Sequence, residues 1–247
     1  NIVNQFINEN SNIRAIFFDH WKSIELINEN YLKKTKTFCL IHSKEINHTI
    51  GTRINKRLVK SLNKADYIIS NSKFTKNLAT KIGANNSKIN VINPGISEPK
   101  FIENAYMQQA SKYFNKINSN EDSFPKIITV ARLEKRKNHD KILMVLKNLQ
   151  SKFPNMKYIS IGDGDEKTKL IKLRNELKLN DSVVFLRNIP EKLKFSLIAS
   201  SNLFLMPTII DKNSIEGFGI SFIEAASYGV GSIGGKDGGS SDAIIHK

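Results

Sequence analysis

KIITVARLEKRKNHDKILMVLKNLQSKFPNMKYISIG (126–162) is the stretch on which the fold turns. It opens on an apolar run, KIITVAR (126–132), continues as HDKILMVLKNLQSKF (139–153), and closes on a second apolar run, KYISIG (157–162). Short β-branched runs bounded by polar turns predict strands, and a longer stretch with apolar residues three and four apart predicts a helix. Strand, helix and strand at this spacing make the parallel crossover of an α/β fold.

The same alternation extends outward in both directions. Downstream come a helix at 167–179, a strand VVFL (183–186), a helix at 192–201, a strand LFLMP (203–207), a helix at 219–229 and a strand VGSIG (230–234). Upstream, IRAIFF (13–18), TFCLIH (37–42), DYIIS (66–70) and KINVI (88–92) read as strands. RINKRLVKSLNKAD (53–66) carries Ile54, Leu58, Val59 and Leu62 at helical spacing, and KFTKNLATKIG (73–83) is a helix stopped at Gly83. Residues 96–125 lack this rhythm. NSNEDSFP (118–125) is a linker by composition, with a helix expected around Ala105–Phe114. The expected organisation is therefore two Rossmann-like domains with parallel sheets: 1–97, a linker at 98–125, and 126–247. Ligands belong at the carboxyl ends of such strands.

Composition narrows the function classes. The chain has 247 residues, with 38 Lys and Arg against 23 Asp and Glu, a net charge of +15. Apolar runs recur throughout, which excludes a wholly disordered chain. Cys39 is the sole cysteine, which excludes a disulfide scaffold. No apolar stretch approaches the roughly 18–20 residues of a spanning helix. The opening NIVNQFINENSN is polar and does not read as a secretory leader. Asn1 opens the chain and GGSSDAIIHK closes it just after a turn, so an internal fragment of a longer protein is expected. The cationic excess fits three readings: Lys, Asn and Ile codons of an AT-rich genome, peripheral contact with an anionic membrane, or nucleic acid. Zinc-finger spacing, basic runs with interleaved aromatics and RNA-recognition signatures are all missing, so nucleic acid is not expected.

Two segments carry chemistry. In IEGFGISFIEA (215–225), Gly217 and Gly219 precede a helix, where open N–H groups and the helix dipole suit a phosphate. Glu216 stands at the loop tip and Glu224 within the helix, each able to accept bonds from sugar hydroxyls. The same spacing also describes an ordinary helix start. In VARLEKRKNHD (130–140), Arg132 and Lys137 follow a strand and suit a diphosphate, although a solvated basic loop has the same composition. Asp163-Gly164-Asp165 has the form of a divalent-cation motif, but after KYISIG it reads as a βα turn with Asp163 capping the next helix. The histidines His20, His42, His48, His139 and His246 show no metal-ligand spacing. GGSSD lacks the G-x-S-x-G elbow of a hydrolase. Cys39, Trp21, Phe17 and Phe18 read as packing residues.

With these motifs in order, the second half resembles the donor domain of glycosyltransferase family 4, the retaining transferases also called glycosyl transferases group 1. The motifs are ARLEKRKNHD (131–140), IGDGDEK (161–167), VVFLRNIP (183–190), IEGFGISFIEAASYG (215–229) and GGSSDAI (238–244). ADYIISNSKFTKNL (65–78) and KINVINPGI (88–96) look like the end of the family's acceptor domain. The resemblance implies a GT-B architecture whose two domains are both incomplete here. It implies transfer of a hexose from a nucleotide diphosphate sugar to a glycan or lipid-linked acceptor, in the cytoplasm or at the inner membrane face, without a metal. By position, Glu216 matches the acid that meets the donor sugar and Glu224 the one that holds the ribose. Gly217, Phe218, Gly219 and Ile220 match the backbone at sugar and phosphates, and Arg132 and Lys137 the diphosphate pair. Leu186, Arg187, Asn188 and Ile189 match the loop against the nucleobase, and His42 the acceptor-domain histidine near the reacting centre. The family's N-terminal Gly-rich loop and last C-terminal elements have no counterpart, and VAR stands in place of a small residue, Gly and Arg. A nucleotide-sugar-binding module without transfer activity is the alternative.

Overall fold

The computed structural model describes residues 2–10, 12–33, 35–99, 101–115 and 123–245. Residues 116–122, within the sequence-based linker, and His246 lie outside them. The chain forms two compact units, one of residues 1–94 with 212–218, the other of 95–211 with 219–247.

The first unit runs α1 (Ile2–Glu9), β1 (Ala15–Phe18), α2 (Trp21–Glu25), α3 (Glu29–Leu32), β2 (Lys36–Ile41), α4 (Arg53–Lys64), β3 (Tyr67–Ser70), α5 (Lys73–Lys81) and β4 (Ile89–Val91). Its four strands are parallel in the order β1-β2-β3-β4. Short polar side chains start the helices. Thr52 Oγ1 accepts the Asn55 amide of α4 at 3.3 Å, and Ser72 Oγ accepts that of Thr75 in α5 at 3.0 Å. One core unites Trp21, Ile24, Cys39, Ile41, Leu58, Leu62 and Ile68. Burial pushes the Cys39 thiol up to about 12, as suits a core residue. Trp21 and Phe18 pack inside as expected, whereas Phe17 is 67% exposed. The period-2 alternation of β1 turns Phe17 to the opposite face, where it stacks on Phe38 at 4.6 Å, and Phe38 on Tyr67 at 5.1 Å.

The second unit runs α6 (Asn104–Phe114), β5 (Lys126–Val130), α7 (His139–Leu149), β6 (Lys157–Ile161), α8 (Lys167–Glu176), β7 (Val183–Leu186), α9 (Glu191–Ala199), β8 (Leu203–Met206), α10 (Ile220–Ser227), β9 (Ser232–Gly234) and α11 (Ser240–Ala243). Its five parallel strands lie in the order β7-β6-β5-β8-β9. Every residue of β6 is buried, because alternate side chains serve two cores. Ile128, Ile159, Phe204 and Met206 face one with α6, α9 and α10, and Ile127, Tyr158 and Val183 face the other with α7 and α8. Helix α6 lies in the stretch read as a linker, yet Ala110 and Phe114 are fully buried in the first of these cores. Its small and aromatic inner residues outweigh the polar composition that surrounds them. From β5 the chain winds to β6 and β7 on one side, then crosses to β8 and β9 on the other. The carboxyl ends of β5 and β8 therefore form a topological switch point, where a crevice opens in such sheets.

Candidate functional site

The loops leaving β5 and β8 are stitched together at this switch point. Ile209 donates to Arg136 O at 2.9 Å, and Asn138 Nδ2 donates to Pro207 O at 3.1 Å. Asn138 adopts a left-handed conformation, φ 60°, and turns the chain into α7. Lys137, just before it, is 6% exposed, and its Nζ lies 3.3 Å from the sulfur of Met206, the last residue of β8. Ser221 Oγ, in the first turn of α10, lies 3.8 Å from the same sulfur. A cationic amine and a helix N-terminus thus meet at the end of β8. Gly219 makes this helix start with φ +93°, and a Cβ there would stand 2.6 Å from the Phe222 ring. The opening amides of α10 have no partner within the helix and are aimed at any anion placed there.

Arg132 leaves β5 with its side chain 64% exposed and Nη1 2.8 Å from Glu134 Oε1. Arg136, nearly buried, holds the other oxygen of Glu134 through Nε at 3.0 Å. Glu134 therefore orders both guanidiniums, a role the spacing alone did not signal. His139, the first residue of α7, is 1% exposed, and neither ring nitrogen has a hydrogen-bond partner. Burial, reinforced by the Lys137 charge, lowers its pKa to about 4, so the ring is neutral at neutral pH.

A second group of predicted residues gathers at the ends of β6 and β7. Leu186 O accepts the Gly162 amide at 2.9 Å, and the loop that follows lines a cavity of about 260 Å³ with Asp163, Arg187, Asn188, Ile189 and Lys194. Asp163 Oδ1 accepts the Gly164 amide at 3.1 Å and lies 3.4 Å from Lys167 Nζ, while Oδ2 lies 3.4 Å from Arg187 Nη1. The Gly164 bond first, then the two cations, hold Asp163 below the usual carboxylate range. Asp163 does not cap the next helix, because α8 begins at Lys167 with Glu166 as its N-cap. Glu224, on α10, pairs with Lys194 on α9 at 2.9 Å, and both side chains are largely buried. Lys194 thus ties the Glu224 carboxylate to the cavity that the 187–189 loop lines. At the last motif, Ser240 Oγ lies 3.1 Å from Thr208 Oγ1, which anchors α11 to the loop after β8.

Four predicted residues, His42, Glu216, Gly217 and Phe218, belong to the first unit. His42 follows β2, half-exposed, with Nε2 3.2 Å from Asp19 Oδ1 and its amide held by Glu45 Oε1 at 2.5 Å. The segment 212–218 lies across the end of this sheet: Asn47 Nδ2 donates to Asn213 O at 3.2 Å, and Ser43 Oγ to Ile215 O at 3.5 Å. Gly217 passes so close that a Cβ would be 2.2 Å from His42 O and 2.7 Å from Asn71 Nδ2. Half-buried Glu216 is therefore carried to the strand end where His42 sits. Arg132, Lys137, Leu186 to Ile189, Gly219, Ile220 and Glu224 belong to the second unit. Both groups occupy the ends of parallel strands, the ligand-binding end of such sheets.

The family model described as "Glycosyl transferases group 1" matches residues 110–247, more than half of the chain. The chain belongs to the glycosyl transferases group 1 family. Among its relatives is the GDP-mannose-dependent alpha-(1-6)-phosphatidylinositol monomannoside mannosyltransferase of Mycolicibacterium smegmatis. The two are 28% identical over 123 residues, 49% of this chain and 32% of that protein. The gpi3 subunit of the phosphatidylinositol N-acetylglucosaminyltransferase of Schizosaccharomyces pombe is 27% identical over 116 residues, 47% of this chain and 24% of that protein. The matches thus span about a third or less of the curated relatives' own lengths. Among solved structures, Anabaena HepE in complex with UDP superposes with a TM-score of 0.78 at 18% identity, over 99% of this chain and 66% of that one. This likeness shows the fold, an α/β architecture with parallel sheets shared with GT-B glycosyltransferases.

Proposed function

We propose that this glycosyl transferases group 1 chain acts in the transfer of a hexose, with retention, from a nucleotide diphosphate sugar to an acceptor hydroxyl. The observation that carries the proposal is the meeting of Lys137, Met206 and the first turn of α10 at the switch point of the five-stranded sheet. That arrangement suits a diphosphate: one fixed cation, the open amides of Gly219 and Ile220, and Arg132 at the rim. In the reaction the bond from the anomeric carbon to the β-phosphate oxygen breaks, and a bond from that carbon to the acceptor oxygen forms on the same face. The acceptor proton passes to the departing diphosphate. Arg132, Lys137 and the helix N-terminus stabilise the charge that develops on the leaving group. To Glu216, with Gly217 and Phe218, we assign the orienting of the donor sugar, and to His42 a role at the reacting centre. Glu224 accepts ribose hydroxyls, and Leu186 to Ile189 flank the base.

On this reading the diphosphate charge is met by protein cations, and no metal or other cofactor takes part. The acceptor is a glycan or a lipid-linked acceptor; two relatives are named for phosphatidylinositol substrates. The protein works in the cytoplasm, at the inner face of the membrane, where its +15 charge favours peripheral contact with anionic lipid and nucleic acid is not a partner. No helix among the described residues is long and apolar enough to cross a membrane. The test is incubation of the protein with sugar nucleotides and candidate lipid-linked acceptors in EDTA. Release of the nucleoside diphosphate and the product's anomeric configuration are followed by NMR. Metal-independent release with the donor's configuration retained is expected. An inverted product overturns the mechanism, and tight binding without turnover in the full-length protein favours the binding-module alternative.

A further inference from the structure

The cavity at the ends of β6 and β7 has a composition that discriminates among nucleobases. Two carboxylates, Asp163 and Glu191, line it beside the Arg187 guanidinium. Lys194 lines it too and holds Glu224 at 2.9 Å. Under the proposed donor site, on which this inference rests, Glu224 marks the ribose. The base attached to that ribose then falls in the adjoining cavity.

The hydrogen-bonding characters are set by chemistry. An ionised carboxylate only accepts, and a guanidinium only donates. Arg187 Nη1 donates to Asp163 Oδ2 at 3.4 Å, so the wall presents an ion pair whose remaining carboxylate lone pairs and guanidinium N–H groups lie next to each other. The Gly164 amide fixes the other Asp163 oxygen at 3.1 Å and keeps this carboxylate ionised at neutral pH. Guanine offers the complementary edge, with O6 as acceptor followed by two donors, N1–H and N2–H. One carboxylate can take both N–H groups while a guanidinium takes O6. Uracil has a single N–H flanked by two carbonyl oxygens, which face a carboxylate with lone pairs. Adenine presents the N1 lone pair where guanine has a hydrogen. Leaving such groups unmatched against the edge of a bound base is what makes a hydrogen-bonding site selective.

We propose that the donor's base is guanine, read by Asp163 as acceptor and Arg187 as donor. Asp163 is half-exposed, so exchanging its carboxylate for an amide leaves the core untouched. Titration calorimetry with GDP, UDP and ADP, on the wild-type protein and on Asp163→Asn, tests it, with thermal melts confirming that both are folded. GDP is expected to bind about tenfold or more tightly than UDP or ADP, and Asp163→Asn to remove about tenfold of that advantage while UDP and ADP affinities stay unchanged. UDP or ADP binding as tightly as GDP, or a GDP preference that survives Asp163→Asn, overturns the assignment and leaves the donor site standing. Failure of all three nucleotides to bind overturns the donor site itself, and this inference with it.

Discussion

Replacing Lys137 by Met separates the binding role of this residue from any structural one. The side chain is 6% exposed, and its ammonium lies 3.3 Å from a thioether sulfur, a weak acceptor. Exchange for an apolar chain of similar length keeps the packing of the buried stem and removes the charge. The effect read is on binding. A charge-assisted bond to a diphosphate is worth about 1.5–3 kcal/mol, so Lys137→Met should weaken a nucleoside diphosphate by about 10- to 150-fold. Lys135→Met is the control. Lys135 has a 63% exposed side chain 3.7 Å from Asp211, and its loss should leave affinity within about twofold. Scanning calorimetry confirms that each variant is folded, and titration calorimetry gives its affinity. A folded Lys137→Met protein that binds nucleotide as well as the wild type does refutes the reasoning.

Three further predictions follow from particular contacts. Phe114→Ala should destabilise the second unit by about 3–5 kcal/mol in urea unfolding, because Phe114 is fully buried in that unit's core; a change below about 1 kcal/mol would return 104–114 to the status of a linker. His139, with a pKa lowered from 6.5 to about 4, binds its proton more readily in the unfolded chain. Stability should be intact above about pH 6.5 and fall progressively toward pH 4, by up to about 3 kcal/mol, and His139→Phe should flatten that part of the pH profile. Glu224→Ala should weaken nucleoside diphosphate binding by about 1–3 kcal/mol while uncoupling Lys194, and unchanged affinity in a folded variant would remove Glu224 from the ribose subsite.

The strands were legible in the sequence because each is a short apolar run between turn residues, and VVFL (183–186) matches β7 residue for residue. The longer helices were legible from their period, with ends a few residues out: α7 stops at Leu149, and a turn follows at 150–152. Short elements were not. Helices α2 and α3 span five and four residues, too few to show a period, and depend on His20 and Asn28 capping them. Helix α6 falls in a stretch whose composition reads as a linker, because the polar residues around Ala110 and Phe114 mask two core positions. Segment 212–218 belongs with the first unit although it lies within the sequence of the second half. Nothing local marks this, since the reason is the approach of Gly217 to His42 O, 175 residues earlier in the chain (217 − 42). The site shows the same division. Glycines, acids and cations next to strand ends can be read by type and position. The pairs that orient them, Lys194 with Glu224 and Arg187 with Asp163, join residues 30 and 24 apart and appear only when the chain is folded.

The most direct test of the account is a crystal structure of the protein grown with a nucleoside diphosphate in the presence of EDTA. The account predicts the β-phosphate at the first turn of α10, within hydrogen-bond reach of Lys137 Nζ and the amides of Gly219 and Ile220, with the ribose hydroxyls on Glu224. A diphosphate bound away from the ends of β5 and β8, with Lys137 Nζ still turned to the Met206 sulfur, would contradict it.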